Sequence, residues 1–69
     1  MMTDFPEVHD YNGQLVRYPY KNYTIWMIKR AWIVGDRIKV EIENRDGGTL
    51  IRSASKIYKR ANGAIRERQ

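Results

Sequence analysis

From Arg37 to Glu43 the chain alternates without interruption: Ile38, Val40 and Ile42 are apolar, while Arg37, Lys39, Glu41 and Glu43 are charged. Successive side chains leave a β-strand on opposite sides, so this period-two pattern marks a strand with one buried face and one wet face. The following Asn44-Arg45-Asp46-Gly47-Gly48 contains Asp-Gly, which supplies the positive φ angles of a tight hairpin turn. Thr49, Leu50, Ile51 and Arg52 form the returning strand. A two-residue turn at Asp46-Gly47 and a four-residue loop over Arg45–Gly48 predict the same register. Both put Ile51 opposite Ile42, and Arg52 opposite Glu41 on the wet face. A cross-strand ion pair of that kind is worth about 0.2–1 kcal/mol.

Upstream, Gln14 to Tyr18 reads as a first strand, with Leu15 and Arg17 on one face and Val16 and Tyr18 on the other. Pro19 is expected to end it, because proline donates no ladder hydrogen bond. Tyr20, Lys21, Asn22 and Tyr23 make a polar, aromatic connection. Thr24 to Val34 carries two competing patterns. Ile25, Ile28 and Trp32 would share a helical face, with Gly35 just past its C-terminus. Against a helix, the segment is rich in β-branched and aromatic residues, and Met27 stands where a capping-box acid belongs. Only Lys29 and Arg30 are charged, so a helix would be apolar almost all round, and a chain this short has little core to hide it in. The segment is therefore expected to be one long strand that bends at a break or bulge near Lys29-Arg30. Trp26 and Ile28 would face the core before the bend, and Trp32 and Val34 after it. Gly35-Asp36 is then a second tight turn.

The two ends read differently from the middle. Residues 1–13 look like an irregular arm, interrupted by Pro6 and closed by the Asn12-Gly13 turn signal, with Phe5, Val8 and Tyr11 spaced to pin it down. Small residues at Ser53-Ala54-Ser55 suit a tight 3₁₀-type turn, after which Ile57 enters a short last strand. Asn62-Gly63 is expected to end order, with Ala64–Gln69 frayed. The chain thus divides into an arm (1–13), a folded body (14–60) and a flexible basic tail (61–69). At 69 residues it makes one domain, which buries only roughly 60% of the surface its unfolded form exposes. Without cysteine it has neither a disulfide nor thiolate chemistry, which fits a reducing compartment. No apolar run approaches the ~18 residues of a membrane span, and the acidic N-terminus lacks the apolar stretch of a secretory signal. A cytoplasmic location is the expectation.

The hairpin at Val40–Ile42 and Asp46-Gly47-Gly48, followed across Ser53–Tyr58 by small residues and a final apolar one, resembles the Src-homology-3-like barrels. That class includes Tudor-type, KOW-type and retroviral-integrase C-terminal domains. The resemblance is one of fold and covers about Gly13 to Lys59. It implies an all-β, five-stranded small barrel with an irregular N-terminal arm and a basic C-terminal tail. Members bind DNA, RNA, peptides or other subunits, so no functional residue is carried over. A five-strand barrel of oligonucleotide-binding type is the nearest rival architecture.

Enzymatic motifs are missing. His9 is the single histidine and is expected at the surface; there is no phosphate-cradling glycine loop, and Ser53 and Ser55 have no evident base. The expectation is a protein that is no enzyme and has no metal or cofactor. Charge is more informative. The net charge is +5, and it is unevenly spread. Residues 1–16 hold Asp4, Glu7 and Asp10 and no Lys or Arg, whereas residues 49–69 hold Arg52, Lys56, Lys59, Arg60, Arg66 and Arg68 against Glu67 alone. A basic end on a basic chain suits a polyanion. Rings stand beside cations at Arg17-Tyr18, Tyr20-Lys21 and Tyr58-Lys59-Arg60, the interleaving with which single-stranded nucleic acid is stacked and neutralised. The candidate phosphate contacts are Arg17, Lys21, Arg52, Lys56, Lys59 and Arg60. The candidate stacking or interface rings are Tyr18, Tyr20 and Tyr23, with Tyr20 and Tyr23 expected to be exposed and Trp26 and Trp32 to be core. DNA or RNA is the expected partner. The alternative is a protein-docking module, of the kind found among phage and plasmid accessory proteins, using Tyr18–Tyr23 and Trp26. Homodimerisation through an edge strand such as Gln14–Tyr18 is a variant of it.

Overall fold

The computed structural model describes residues 6–61 and 63–66. They form an all-β body of antiparallel strands: β1 (Leu15–Tyr20), β2 (Tyr23–Val34), β3 (Arg37–Glu43), β4 (Thr49–Ser53) and β5 (Tyr58–Lys59). The sheet order is β4-β3-β2-β1-β5. Short 3₁₀ turns lie at His9–Tyr11, before β1, and at Ala54–Lys56, between β4 and β5. Among the described residues no helix is long and apolar enough to cross a membrane.

Ile38, Val40 and Ile42 are buried as their alternation demands, and Val8, Val16, Trp26, Ile28, Ala31, Ala54, Ile57 and Ile65 share the core with them. Each fully buried branched side chain contributes roughly 1.5–3 kcal/mol. The ambiguous segment is one strand of 12 residues. Its pairing with β3 shifts register between Ile28 and Arg30, so Lys29 is the extra residue of a bulge. One extra residue changes which positions face inward. Trp26 and Ile28 are buried before the bulge, and Ala31 after it. Trp32 and Val34, expected on the core side, are instead half-buried on the outward face, where Trp32 stands opposite Lys39 and Val34 opposite Arg37. The Arg30 guanidinium covers the Trp32 ring at 5.3 Å.

Pro19 does not end β1. The strand continues to Tyr20, and its ladder with β2 shifts register between Arg17 and Tyr20, which is where a residue without an N–H is tolerated. Nor is this strand an edge, since β2 flanks it on one side and β5 on the other. Two-residue turns close β1–β2 at Lys21-Asn22 and β2–β3 at Gly35-Asp36. Gly35 has a φ of +65°, the left-handed value a primed hairpin turn needs.

The β3–β4 hairpin differs from expectation by one residue. The Gly47 N–H donates to the Asn44 carbonyl (3.0 Å) and the Asn44 N–H to the Gly48 carbonyl (2.9 Å). Gly47 takes a φ of +90°. The loop is therefore the three-residue Arg45–Gly47, a turn followed by a glycine bulge. Asn44 Oδ1 reinforces it by accepting from the Asp46 and Gly48 N–H groups at 2.9 and 3.0 Å. An odd loop exchanges the faces of the returning strand. Leu50, not Ile51, stands opposite Ile42; Ile51 is opposite Glu41, and Arg52 is opposite Val40 on the core side. Ile51 is left 50% exposed. Glu41 finds its cation on the other flank, accepting from Arg30 Nε–H at 2.9 Å.

Both ends of the described chain join the body. The Ile33 N–H donates to the Pro6 carbonyl and the Val8 N–H to the Ala31 carbonyl, each at 2.9 Å, so residues 6–8 line the second half of β2 as β1 lines the first. Val8 is buried and Tyr11 packs on the core; Phe5 lies outside the described residues. After β5 the chain turns back. Tyr58 bridges Ala64, the Ile65 N–H donates to the Ile57 carbonyl (2.9 Å), and Ile65 is 3% exposed. Residues 63–66 thus pack where fraying was expected, because Ile65 buries an apolar side chain; Asn62 and residues 67–69 lie outside the described residues.

The expected barrel does not close. β5 is only two residues long, and residues 63 and 64 occupy its outer side, so β4 and β5 share no ladder. The sheet nevertheless curls strongly, since Arg52 of β4 reaches Tyr18 of β1 across two intervening strands.

This register separates two isoleucines. Ile42→Ala should cost about 2–5 kcal/mol, and Ile51→Ala should stay within about 0.5 kcal/mol, in urea unfolding. The reverse ranking would restore the register with Ile51 inside.

Candidate nucleic-acid interface

Tyr18 and Tyr20 flank Pro19 in β1, and their side chains meet on the same side of the strand. Their rings stack with centroids 6.5 Å apart and planes 14° from parallel. Tyr18 is half-buried, its carbonyl accepting from Trp26 Nε1–H at 2.8 Å, while Tyr20 is 36% exposed. Arg52 meets this pair from β4. Its Nε–H donates to the Tyr18 hydroxyl at 2.9 Å, and its guanidinium carbon lies 5.6 Å from the Tyr18 ring and 5.5 Å from the Tyr20 ring. Lys21, in the β1–β2 turn, places Nζ 5.6 Å from the Tyr20 ring. A cation over an exposed ring is worth about 0.5–1 kcal/mol. Two rings and two cations are thus held together at one end of the curled sheet.

Tyr23 sits beside this group but has another task. Its ring meets Trp26 edge-on at 5.9 Å, and its hydroxyl donates to Asp46 Oδ2 in the β3–β4 loop. It is half-buried against the core, rather than exposed as expected. The hydrogen bond to Asp46 holds the Tyr23 pKa above its ordinary 10.0; burial and the negative charge of Asp46 add to the rise, and Arg45 opposes it. Tyr23 therefore ties two turns together.

The remaining predicted cations do not take part in the hydrogen bonds or ring contacts of the cluster. Arg17 is exposed, opposite Ile25 on one side and Tyr58 on the other. Lys56 is exposed in the 3₁₀ turn, and Arg60 in the turn after β5. Lys59 shares a shallow groove with Tyr11 and Arg66. His9 is exposed, its Nδ1 3.9 Å from Glu7 Oε1, and no set of three or more His, Cys, Asp or Glu among the described residues could hold a metal ion.

Sequence reasoning missed Asp46 as a partner of Tyr23. The two are 23 positions apart, and Asp-Gly in a hairpin reads as turn chemistry alone. It also missed that Leu15, Ile25 and Met27 lie exposed together along a groove with Glu43 and Arg45. No family model matches the chain, and no curated protein or solved structure matches it either.

Because the Tyr23 pKa is raised in the folded state, its stabilising contribution is complete below pH 10.0 and is lost as pH rises through the raised value. Thermal unfolding of the natural chain and of Tyr23→Phe, from about pH 8 to pH 12, should show the advantage of the natural chain shrinking only in the alkaline part of that range. A constant difference would remove Asp46 as the cause.

Proposed function

We propose that the protein binds nucleic acid as a small non-enzymatic module, with single strands as its preferred form. The observation that carries this reading is the Tyr18–Tyr20 stack with Arg52 and Lys21 beside it. Aromatic faces accept unstacked bases whatever their identity, at about 1–3 kcal/mol per base, and neighbouring cations meet the phosphates. Arg52 suits the second task. Nε and Nη1 donate within the protein, and a guanidinium carries five N–H groups. The net charge of +5 supplies the long-range attraction. Arg17, Lys56, Lys59 and Arg60 extend the backbone contacts beyond the stack, without base preference.

The fold this reading assigns is the Src-homology-3-like barrel in an open form. Its support is the strand order β4-β3-β2-β1-β5 and the 3₁₀ turn Ala54–Lys56 between β4 and β5. A second reading, a protein-docking module, is supported by Leu15, Ile25 and Met27, which are apolar, exposed and adjacent.

Fluorescence anisotropy with labelled single-stranded DNA, duplex DNA and RNA, at two salt concentrations, tests the proposal. Affinity should fall steeply with salt, and Tyr20→Ala should weaken single-strand binding about 5- to 150-fold, the loss of one stacked base. Binding that is absent at low salt, or indifferent to Tyr20→Ala and Arg52→Ala, would reject the site. A protein partner lost on Met27→Lys while nucleic-acid affinity is unchanged would favour docking.

A further inference from the structure

We infer that the outer edge of β4 is a self-association surface, on which a second copy of this chain pairs its own β4 antiparallel to the first.

The hairpin hydrogen bonds decide which backbone groups face outward. The Asn44 N–H bonds to the Gly48 carbonyl, so residues 44 and 48 form a hydrogen-bonded pair. Such pairs alternate along an antiparallel ladder. Leu50 and Arg52 therefore direct their N–H and C=O groups at β3, and Thr49 and Ile51 direct theirs away from it. Among the described residues, Arg52 Nη1–H to the Ile51 carbonyl, at 2.8 Å, is the one bond recorded to these outward groups of Thr49 and Ile51. That carbonyl keeps a second lone pair.

The other margins of the sheet are covered by the chain itself. Residues 6–8 line the second half of β2. On the far side of β5, the Lys59 N–H donates to the Gly63 carbonyl at 3.2 Å, and Tyr58 bridges Ala64. Of the devices that protect an open edge, β4 carries one, the inward-pointing charge of Arg52. The strand contains no proline and no lysine, its pairing with β3 has no register shift, and the central one of its outward side chains is Ile51, half exposed.

A second copy fits this edge better than an unrelated strand because the edge complements itself. A two-fold axis at Leu50 places each Ile51 opposite Thr49 of the second copy, in a hydrogen-bonded pair that exchanges both backbone bonds. The two Leu50 side chains meet across the seam on the core side. Thr49, Leu50 and Ile51 are uncharged, so two basic chains approach without like charges directly opposed, and Arg52 falls opposite Gly48 of the second copy. The pairing consumes both edges, so association stops at two chains.

Sedimentation equilibrium on the full chain, over a concentration series, tests this together with residue-resolved amide exchange. The expected result is a reversible dimer in which the Thr49 and Ile51 amides gain protection as concentration rises, while the Leu50 and Arg52 amides are protected in both states. Ile51→Lys puts a charge on the edge and should raise the dissociation constant about tenfold or more. Ile51→Pro removes an outward N–H without touching the β3 ladder and should do the same. Unchanged circular dichroism of either variant shows that the monomer still folds. A single-chain mass up to about 1 mM, association beyond two chains, a dimer indifferent to both variants, or a dimer whose Thr49 and Ile51 amides exchange as in the monomer would each overturn the inference.

Discussion

The extra residue at Lys29 is the constraint on which the body depends. In a regular strand, burying Trp26 and Ile28 would also bury Arg30, and an unpaired buried charge is far more costly than a bulge. The bulge moves Arg30 to the outer face, where it pairs with Glu41 and covers Trp32, and it brings Ala31 inward. It also bends β2, so that one strand of 12 residues takes two partners along the same flank. β1 lines the half before the bulge, and Pro6–Val8 the half after it.

The length of the Arg45–Gly47 loop has a comparable effect at the other end of the sheet. With a two- or four-residue loop, Arg52 would stand outside beside Glu41 and Ile51 would lie in the core. The three-residue loop sends Arg52 across the concave side to Tyr18 and leaves Ile51 on the open edge. Both the ring-and-cation cluster and the proposed dimer seam follow from that single residue of register. Asn44 secures it, because its side-chain oxygen accepts two backbone N–H groups of the loop that would otherwise go unpaired.

Charge and ring contacts are distributed unevenly over the body. Residues 49–69 carry the whole surplus charge, and among them the cation best organised around rings is Arg52, held by a hydroxyl and by the curl of the sheet. Tyr23, beside it, is a brace between the β1–β2 turn and the hairpin loop, which keeps Tyr18, Tyr20 and Trp26 at one end of the body. The cluster is thus assembled from β1, the β1–β2 turn and β4, which meet only because the sheet curls.

Much of the fold was legible in local patterning. The alternation of Arg37–Glu43, the β-branched content of Thr24–Val34 with its break near Lys29-Arg30, the Gly35-Asp36 turn and the small residues of the 3₁₀ turn each carry their own physical reason within a few positions. Tyr18, Tyr20, Lys21 and Arg52 were likewise visible as rings and cations worth attention. What the sequence could not determine is what depends on parity and on contacts between distant segments. A bulge reverses which of Trp32 and Ala31 faces inward, and a loop of three residues in place of two or four exchanges Ile51 for Leu50. Both choices rest on summed core packing and hydrogen-bond satisfaction across strands. The burial of Ile65, the Tyr23–Asp46 contact and the failure of the barrel to close belong to the same class. Local sequence determines which residues can form a strand; only the assembled sheet, through its register and curl, decides which face each side chain meets.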